Sequence, residues 1–156
     1  MSEPEPVDLI HLSDTEGNRC IVRVTRRFQP GILTGHDILC ADVLASASFV
    51  DARLDLYLFQ HDLAAWELQL DHLELGGKAS IGGDRGLSLG FHLHEDHSVT
   101  VAVDDPARLT TMLWIRPAPD WIEEHRRRLA EFRQTWPSEV TETAPMVYMW
   151  SPNRSS

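Results

Sequence analysis

Residues 39–59 read LCADVLASASFVDARLDLYLF, and apolar and polar side chains alternate along most of this stretch. A period of two residues is typical of a β-strand that turns one face to the core. The two alternating runs, 39–47 and 52–59, are separated by only a short spacer. We therefore predict that they form an antiparallel hairpin.

The same period recurs on both sides of this hairpin, and segments rich in glycine, aspartate and asparagine separate the runs as turns. Gly82-Gly83-Asp84-Arg85-Gly86 is one such predicted turn. The predicted strands are 7–12, 20–25, 39–47, 52–59, 79–81, 87–94, 99–103 and 109–115.

Two segments change to the spacing of a helix. Four apolar residues share one helical face between residues 61 and 75, where Gly76-Gly77 supplies a stop. They are Leu63, Trp66, Leu70 and Leu73. The second helix is predicted to begin after Asp120, with Glu123 completing a capping box, and to end at Pro137. Its apolar stripe contains His125, which is expected to be a half-buried, hydrogen-bonded core residue.

The element order is ββββαβββ(β)α plus a tail, which predicts an α+β fold: a mostly antiparallel sheet of about seven to eight strands with two helices packed on it. Residues 7–150 are expected to form a single domain, with flexible ends at 1–6 and 151–156. Residues 138–150 would either add an edge strand or pack over the sheet. No internal repeat is evident in the sequence.

The formal net charge of −10 disfavours nucleic-acid binding and favours a basic protein partner, although acidity also keeps proteins soluble. No apolar run approaches the roughly 20 residues that a membrane-spanning helix needs. The N-terminus, Met-Ser-Glu-Pro-Glu-Pro, lacks the apolar region of a signal peptide, so a cytoplasmic protein is expected. Cys20 and Cys40 are then expected to be free thiols.

Three histidines lie close together at residues 92, 94 and 97. His92 and His94 are two positions apart on a predicted strand, so their rings share a face, and His97 follows in a turn. Imidazoles with nearby carboxylates can hold a divalent metal. The alternative is a polar strand face that continues into a hydrophilic turn.

Other chemical motifs are weak. The glycines of 82–86 lack the lysine and the following helix of a phosphate-binding loop. No Gly-x-Ser-x-Gly nucleophile motif is present. We therefore assign no catalytic residue and no cofactor-binding residue.

Tyr57, Phe59, Met112 and Trp114 occupy positions that should be polar in their strands. If those strands were neighbours, the four side chains would form one apolar patch, which commonly marks a partner surface. The alternative is that the second helix or the tail, with Met149 and Trp150, covers them.

Several segments together resemble a family of small actinobacterial proteins that carries no established activity. They are 28–31, 35–37, 46–56, 82–86 and 120–122, which read FQPG, GHD, SASFVDARLDL, GGDRG and DWI. The layout also resembles immunity proteins of bacterial polymorphic toxin systems, in which a sheet precedes a helix that opens Asp-Leu-x-x-Trp, here at Asp62, Leu63 and Trp66. That second resemblance rests on layout.

The leading hypothesis is a non-enzymatic protein-binding domain, of the immunity type, that neutralises a basic toxin. One alternative is a metal-dependent or small-molecule enzyme that uses residues 92–97. Another is an accessory subunit of a larger assembly.

Overall fold

The computed structural model describes residues 3–84 and 86–152. The predicted flexible ends therefore lie partly outside the described residues, and so does Arg85 of the predicted turn. The first half of the described chain contains β1 (Val7–Ser13), β2 (Arg19–Arg27), β3 (Leu39–Ala47), β4 (Val50–Leu58) and α1 (Gln60–His72). The second half contains β5 (Lys78–Gly82), β6 (Ser88–Leu93), β7 (Val99–Asp105), β8 (Leu109–Ile115) and α2 (Trp121–Thr135). A hairpin of β9 (Val140–Ala144) and β10 (Val147–Trp150) follows.

The predicted α+β class with antiparallel sheets is confirmed. The strands are divided differently from the prediction, because β1-β2-β3-β4 form one four-stranded sheet and β5-β6-β7-β8 form another. Each half of the chain thus has the order ββββα. Periodicity identifies strands but not the sheet that each strand joins, which is why the division was not predicted.

The segment 138–150, for which two arrangements were predicted, pairs with itself. β9 and β10 form their own two-stranded sheet, with Val140 opposite Trp150. This hairpin therefore does not extend either of the larger sheets.

The stretch 39–59 forms the predicted hairpin, in which Ala41 lies opposite Leu56 and Val43 opposite Leu54. All four of these side chains are buried. The alternating apolar faces of both sheets join the buried faces of both helices in one hydrophobic cluster. The two halves consequently share a single core.

Each helix packs against the first strand of the other half, α1 against β5 and α2 against β1. The side-chain amide of Gln69 accepts from the Ser80 N–H at 2.8 Å and donates to the Ser80 carbonyl at 3.0 Å. Correspondingly, the His11 N–H donates to Nε2 of His125 at 3.0 Å. Helix side chains therefore satisfy backbone groups on the outer edges of β1 and β5, which are edge strands of their sheets.

The start of α2 corrects one prediction. Asp120 is the N-cap residue, but its side chain makes no cap hydrogen bond in the described part of the chain. The predicted capping box is therefore wrong, and the Glu123 carboxylate instead pairs with Arg126. The physical reason is the backbone of Asp120, whose ψ of 17° departs from the extended conformation that a capping side chain requires.

Both cysteines are free, as expected, and both are buried. Complete burial raises the pKa of the Cys20 thiol to about 12, because a thiolate would be desolvated. Cys20 therefore acts as a small apolar core residue. Among the described residues, neither helix is long and apolar enough to cross a bilayer.

Candidate functional site

The outer face of the second sheet brings together residues from both predicted sites. Strand register places His92 beside Thr100, and Thr100 beside Trp114. The next row contains Gly90, Ala102 and Met112 side by side. The alternate residues of these strands point to the core, so the two rows lie on the opposite face.

A groove of about 420 Å³ crosses this face. Its floor lies over Gly90 and Ala102, which carry little or no side chain. Gln69, Lys78, His92, Thr100 and Met112 are among the residues that line it. A Cβ added at Gly90 would meet the Ala102 Cβ at 3.8 Å, an ordinary contact, so steric crowding does not require glycine there. The groove exists because both neighbouring strands place small residues at outward positions.

One end of the groove is bounded by a cluster of three rings. The centroids of His92 and His94 are 4.2 Å apart. The His94 ring is stacked on Trp114, with centroids 5.1 Å apart and ring planes inclined by 6°. Nε2 of His94 also lies 2.6 Å from the Thr100 hydroxyl. The Trp114 indole therefore packs face to face on His94 at the sheet surface.

The apolar residues of this face remain exposed. Met112 is 67% exposed and Trp114 is 54% exposed. The C-terminal hairpin lies elsewhere, since Trp150 packs edge-on against His36 with ring centroids 4.8 Å apart. In the structure, Met149 and Trp150 therefore do not cover Met112 and Trp114, contrary to the alternative considered from sequence.

The four out-of-phase residues do not form one patch. Tyr57 is on β4 in the first sheet, whereas Met112 and Trp114 are on β8 in the second. Phe59 directly precedes α1, where its ring stacks on His61 with centroids 5.5 Å apart. The condition for a single patch, neighbouring strands, is not met. The structure instead joins Met112 and Trp114 to the histidines.

The histidine cluster is not preformed as a three-ligand metal site. His97 lies in the turn after β6 with a φ of 70°, and its N–H donates to the His94 carbonyl. Within the described residues, one group of three side chains has potential metal-ligand atoms that all lie within 4.8 Å of one another. It consists of His61, Asp62 and Asp84. Metal binding by His92, His94 and His97 stays a prediction.

The His61 group already makes internal bonds. Its Nε2 lies 2.5 Å from an Asp84 oxygen and 3.7 Å from Asp62 Oδ1. The other Asp62 oxygen accepts the Phe59 N–H at 2.8 Å. Burial raises the pKa of the Asp62 carboxyl. The group therefore serves the start of α1, where the Asp62 carboxylate accepts the N–H of the residue that precedes the helix.

A second polar region, at the base of the C-terminal hairpin, was not predicted from sequence. The Arg27 guanidinium is buried and donates to Asp37 Oδ1 at 3.1 Å and to the Pro137 carbonyl at 2.8 Å. Asp37 also accepts the N–H groups of Glu139 and Val140, each at 2.9 Å at its closest. Arg27 and Asp37 thus attach the hairpin to the loop after β2.

His36 completes this network. The Gly31 N–H donates to Nδ1 of His36 at 2.9 Å, so the ring proton is on Nε2, which donates to Glu139 Oε1 at 2.9 Å. A cleft of about 550 Å³ lies beside the network, between the hairpin and the start of α1. Every charged member of the network has a partner, which indicates a structural role. Of this network, the sequence singled out only Gly35-His36-Asp37, as one of the segments that carry the family resemblance.

The outer face of the first sheet differs chemically from that of the second. Arg23 pairs with Asp8 at 2.7 Å, and Arg53 pairs with Asp42 at 3.1 Å. Charged groups on this face therefore neutralise one another across strands. The second sheet instead presents a thioether, an indole and two imidazoles around a groove.

These features define an α+β domain of two four-stranded antiparallel sheets, one of which has an apolar, histidine-bordered outer face. The chain belongs to the family described as "Family of unknown function (DUF5959)", whose model matches residues 7–137. No curated protein and no solved structure matches the chain. The hairpin β9–β10 lies beyond the matched residues.

Proposed function

We propose that this chain is a non-enzymatic protein-binding domain that docks a basic protein on the outer face of its second sheet. The observation that supports this most directly is the exposure of Met112 and Trp114, at 67% and 54%, beside the groove. Large apolar side chains grouped on a surface are typical of partner contacts.

The chemistry of the face fits the centre of a protein interface. Tryptophan and methionine are enriched there, and a well-packed tryptophan is a frequent source of binding energy. Trp114 is held by its stacking on His94, so docking would immobilise few additional torsions. The groove over Gly90 and Ala102 can receive a side chain of the partner.

The charge of the chain favours a basic partner. The net charge is −10, and acidic residues flank the face at both ends. Glu95 lies in the turn between β6 and β7, where the neighbouring Asp96 pairs with Arg116, and Asp104 and Asp105 end β7. Opposite charges around an apolar centre accelerate encounter and make it sensitive to salt. An immunity-type protein that neutralises a basic toxin domain would need both an apolar contact surface and acidic residues around it.

The partner can be captured by photo-cross-linking. A photoreactive amino acid replaces Met112 in the full-length tagged chain, expressed in the organism from which it comes. The matched control places the same amino acid at Arg53, an exposed position on the outer face of the first sheet. We expect a basic protein, of a mass that distinguishes it from a second copy of this chain, to cross-link at 112 and not at 53. Equal capture at both positions would contradict the proposal.

The captured protein is then purified and titrated calorimetrically against two variants of one strand. Gly90→Val fills the groove, and we expect it to weaken binding about tenfold or more. Ser88→Val adds a similar side chain on the same face of β6 but outside the groove lining, so it should bind like the wild type. Equal affinities of the two variants would overturn the assignment of the groove, and affinity unchanged by salt would overturn the charge argument.

A further inference from the structure

The two large sheets have four edge strands, and these edges differ in what protects them. The β1 and β5 edges are satisfied by α2 and α1, as described above. The β4 edge carries the charged residues Asp51, Arg53 and Asp55. Charges on an edge are a common means of preventing it from pairing with another chain.

β8 lacks such protection along its own length, although just beyond its end the Asp14 carboxylate accepts the Arg116 N–H at 3.2 Å. The strand reads Leu-Thr-Thr-Met-Leu-Trp-Ile over residues 109–115, with no charged residue and no proline. In the described chain it pairs with β7 alone. An uncharged edge strand rich in β-branched and apolar residues is a template for a further strand. The edge of the second sheet is therefore a surface for strand pairing.

The sequence of β8 is suited to pairing with itself. In an antiparallel arrangement with a two-fold axis at Met112, each residue would face a compatible residue of a second copy. On the inner side, Thr111 would lie opposite Leu113 and Leu109 opposite Ile115. On the outer side, Met112 would face Met112, and Thr110 would face Trp114. Apolar and β-branched cross-strand pairs of this kind stabilise antiparallel sheets.

Charge also favours a second copy at this position over other parts of the surface. Two molecules of net charge −10 repel each other, so a neutral segment opposes their close approach less than an acidic one does. The arginines at the two ends of β8 already have acidic partners, Arg108 with Asp55 at 3.6 Å and Arg116 with Asp96 at 3.3 Å. The strand between them is neutral throughout.

We propose that two copies of this chain associate through their β8 strands, which pair antiparallel about Met112 and join two four-stranded sheets into one continuous sheet. The occupant of the edge is thus a second copy of the chain. The proposal is independent of the proposed function, because Met112 and Trp114 stay on the outer face and the dimer only places two such faces side by side.

Sedimentation velocity of the full-length protein, from low to high micromolar concentration, tests the association. We expect the wild type to shift from monomer to dimer as the concentration rises. Met112→Lys and Met112→Glu each place two like charges at the two-fold axis, so each should weaken the dimer about tenfold or more. Because Met112 is exposed, both variants are expected to fold, which circular dichroism checks.

Mixing the two variants tests the register. The lysine of one chain would face the glutamate of the other, so the mixture should regain dimers that neither variant forms alone. Ala102→Lys is the matched control, since it adds the same charge to the same face on β7, away from the edge. We expect it to dimerise normally while losing the partner described above, which separates the two proposals.

A wild type that is monomeric at every concentration would overturn the proposal and leave the edge to a strand of a different protein. Dimers that persist in both single variants would also overturn it, since the two copies would then meet elsewhere. A mixture that stays monomeric would contradict the pairing about Met112.

Discussion

His125 is a fully buried histidine whose two ring nitrogens are both used. Nδ1–H donates to the Trp121 carbonyl at 2.7 Å, and Nε2 accepts the His11 N–H from the edge of β1. This pattern requires the neutral ring, because an imidazolium would have two donors and no acceptor. Burial also lowers the pKa of His125, because the charged imidazolium would lose its hydration in the core.

The lowered pKa predicts a specific dependence of stability on pH. Below the ordinary histidine pKa of about 6.5, His125 binds a proton in the unfolded chain but stays neutral in the folded chain. The free energy of unfolding should therefore fall as pH drops from about 7.5 to about 5.5. His125→Phe should lower stability by about 1–3 kcal/mol at neutral pH, because it leaves the His11 N–H without its acceptor.

Urea unfolding at several pH values measures both effects. The gap in unfolding free energy between wild type and His125→Phe should narrow toward acidic pH, since only the wild type loses this contribution there. His72→Phe is a matched control, because His72 is an exposed residue near the end of the other helix. A gap that stays constant with pH would show that His125 does not titrate as inferred.

The position of His125 in the core could be predicted from the sequence, and its partner could not. The apolar stripe of α2 places residue 125 on the buried face, which is a local property of the helix. His11 lies 114 positions earlier in the chain, so their contact depends on how the two halves assemble. The same holds for the site on the second sheet, where alternation predicted outward residues on β6 and β8 but not their proximity.

At the scale of elements, the C-terminal hairpin is attached by buried charge. Arg27 is within 3.1 Å of Asp37 and 3.3 Å of Glu139, and both carboxylates are largely buried. Removing one partner from such a network leaves the others buried and unpaired. Every residue of β9 and β10 is exposed or only partly buried, so burial of the hairpin in the core contributes little to its attachment.

Arg27→Ala should lower the free energy of unfolding by about 3–5 kcal/mol and release the hairpin. Limited proteolysis should then cut within residues 139–150 faster than in the wild type. Arg26→Ala, which removes an exposed arginine of the same strand, should change neither stability nor cleavage appreciably. If both variants behave alike, Arg27 does not hold the hairpin.

The sequence leaves the arrangement of 138–150 open, because the network that fixes this segment consists of side chains far apart in the chain. Alternation in the segment is short, and neither a strand edge nor a covering layer could be favoured from it. Asp37 precedes β3 in a loop, where an aspartate is ordinarily a turn residue. Its role depends on the fold, which brings Ser138, Glu139 and Val140 within hydrogen-bonding distance of its carboxylate.

At the scale of the whole molecule, the two ββββα halves exchange their helices. α1 closes the edge of β5 and α2 closes the edge of β1, and residues of both halves join one core cluster. The sequence predicted nearly every strand and both helices, since those depend on local periodicity. The exchange depends on long-range packing, and no repeated motif in the sequence indicated it.

This exchange predicts that neither half folds alone. A fragment of residues 1–75 would expose the edge of β1 and half of the core, and a fragment of 76–156 would expose the edge of β5 and the other half. We expect neither separate fragment to show a cooperative thermal transition by circular dichroism, and we expect the co-expressed fragments to form a folded complex. The control is the intact chain with a protease site between Leu75 and Gly76, which should stay folded after cleavage. A cooperative transition in either isolated fragment would mean that its own helix closes its own first strand, contrary to the contacts of Gln69 and His125.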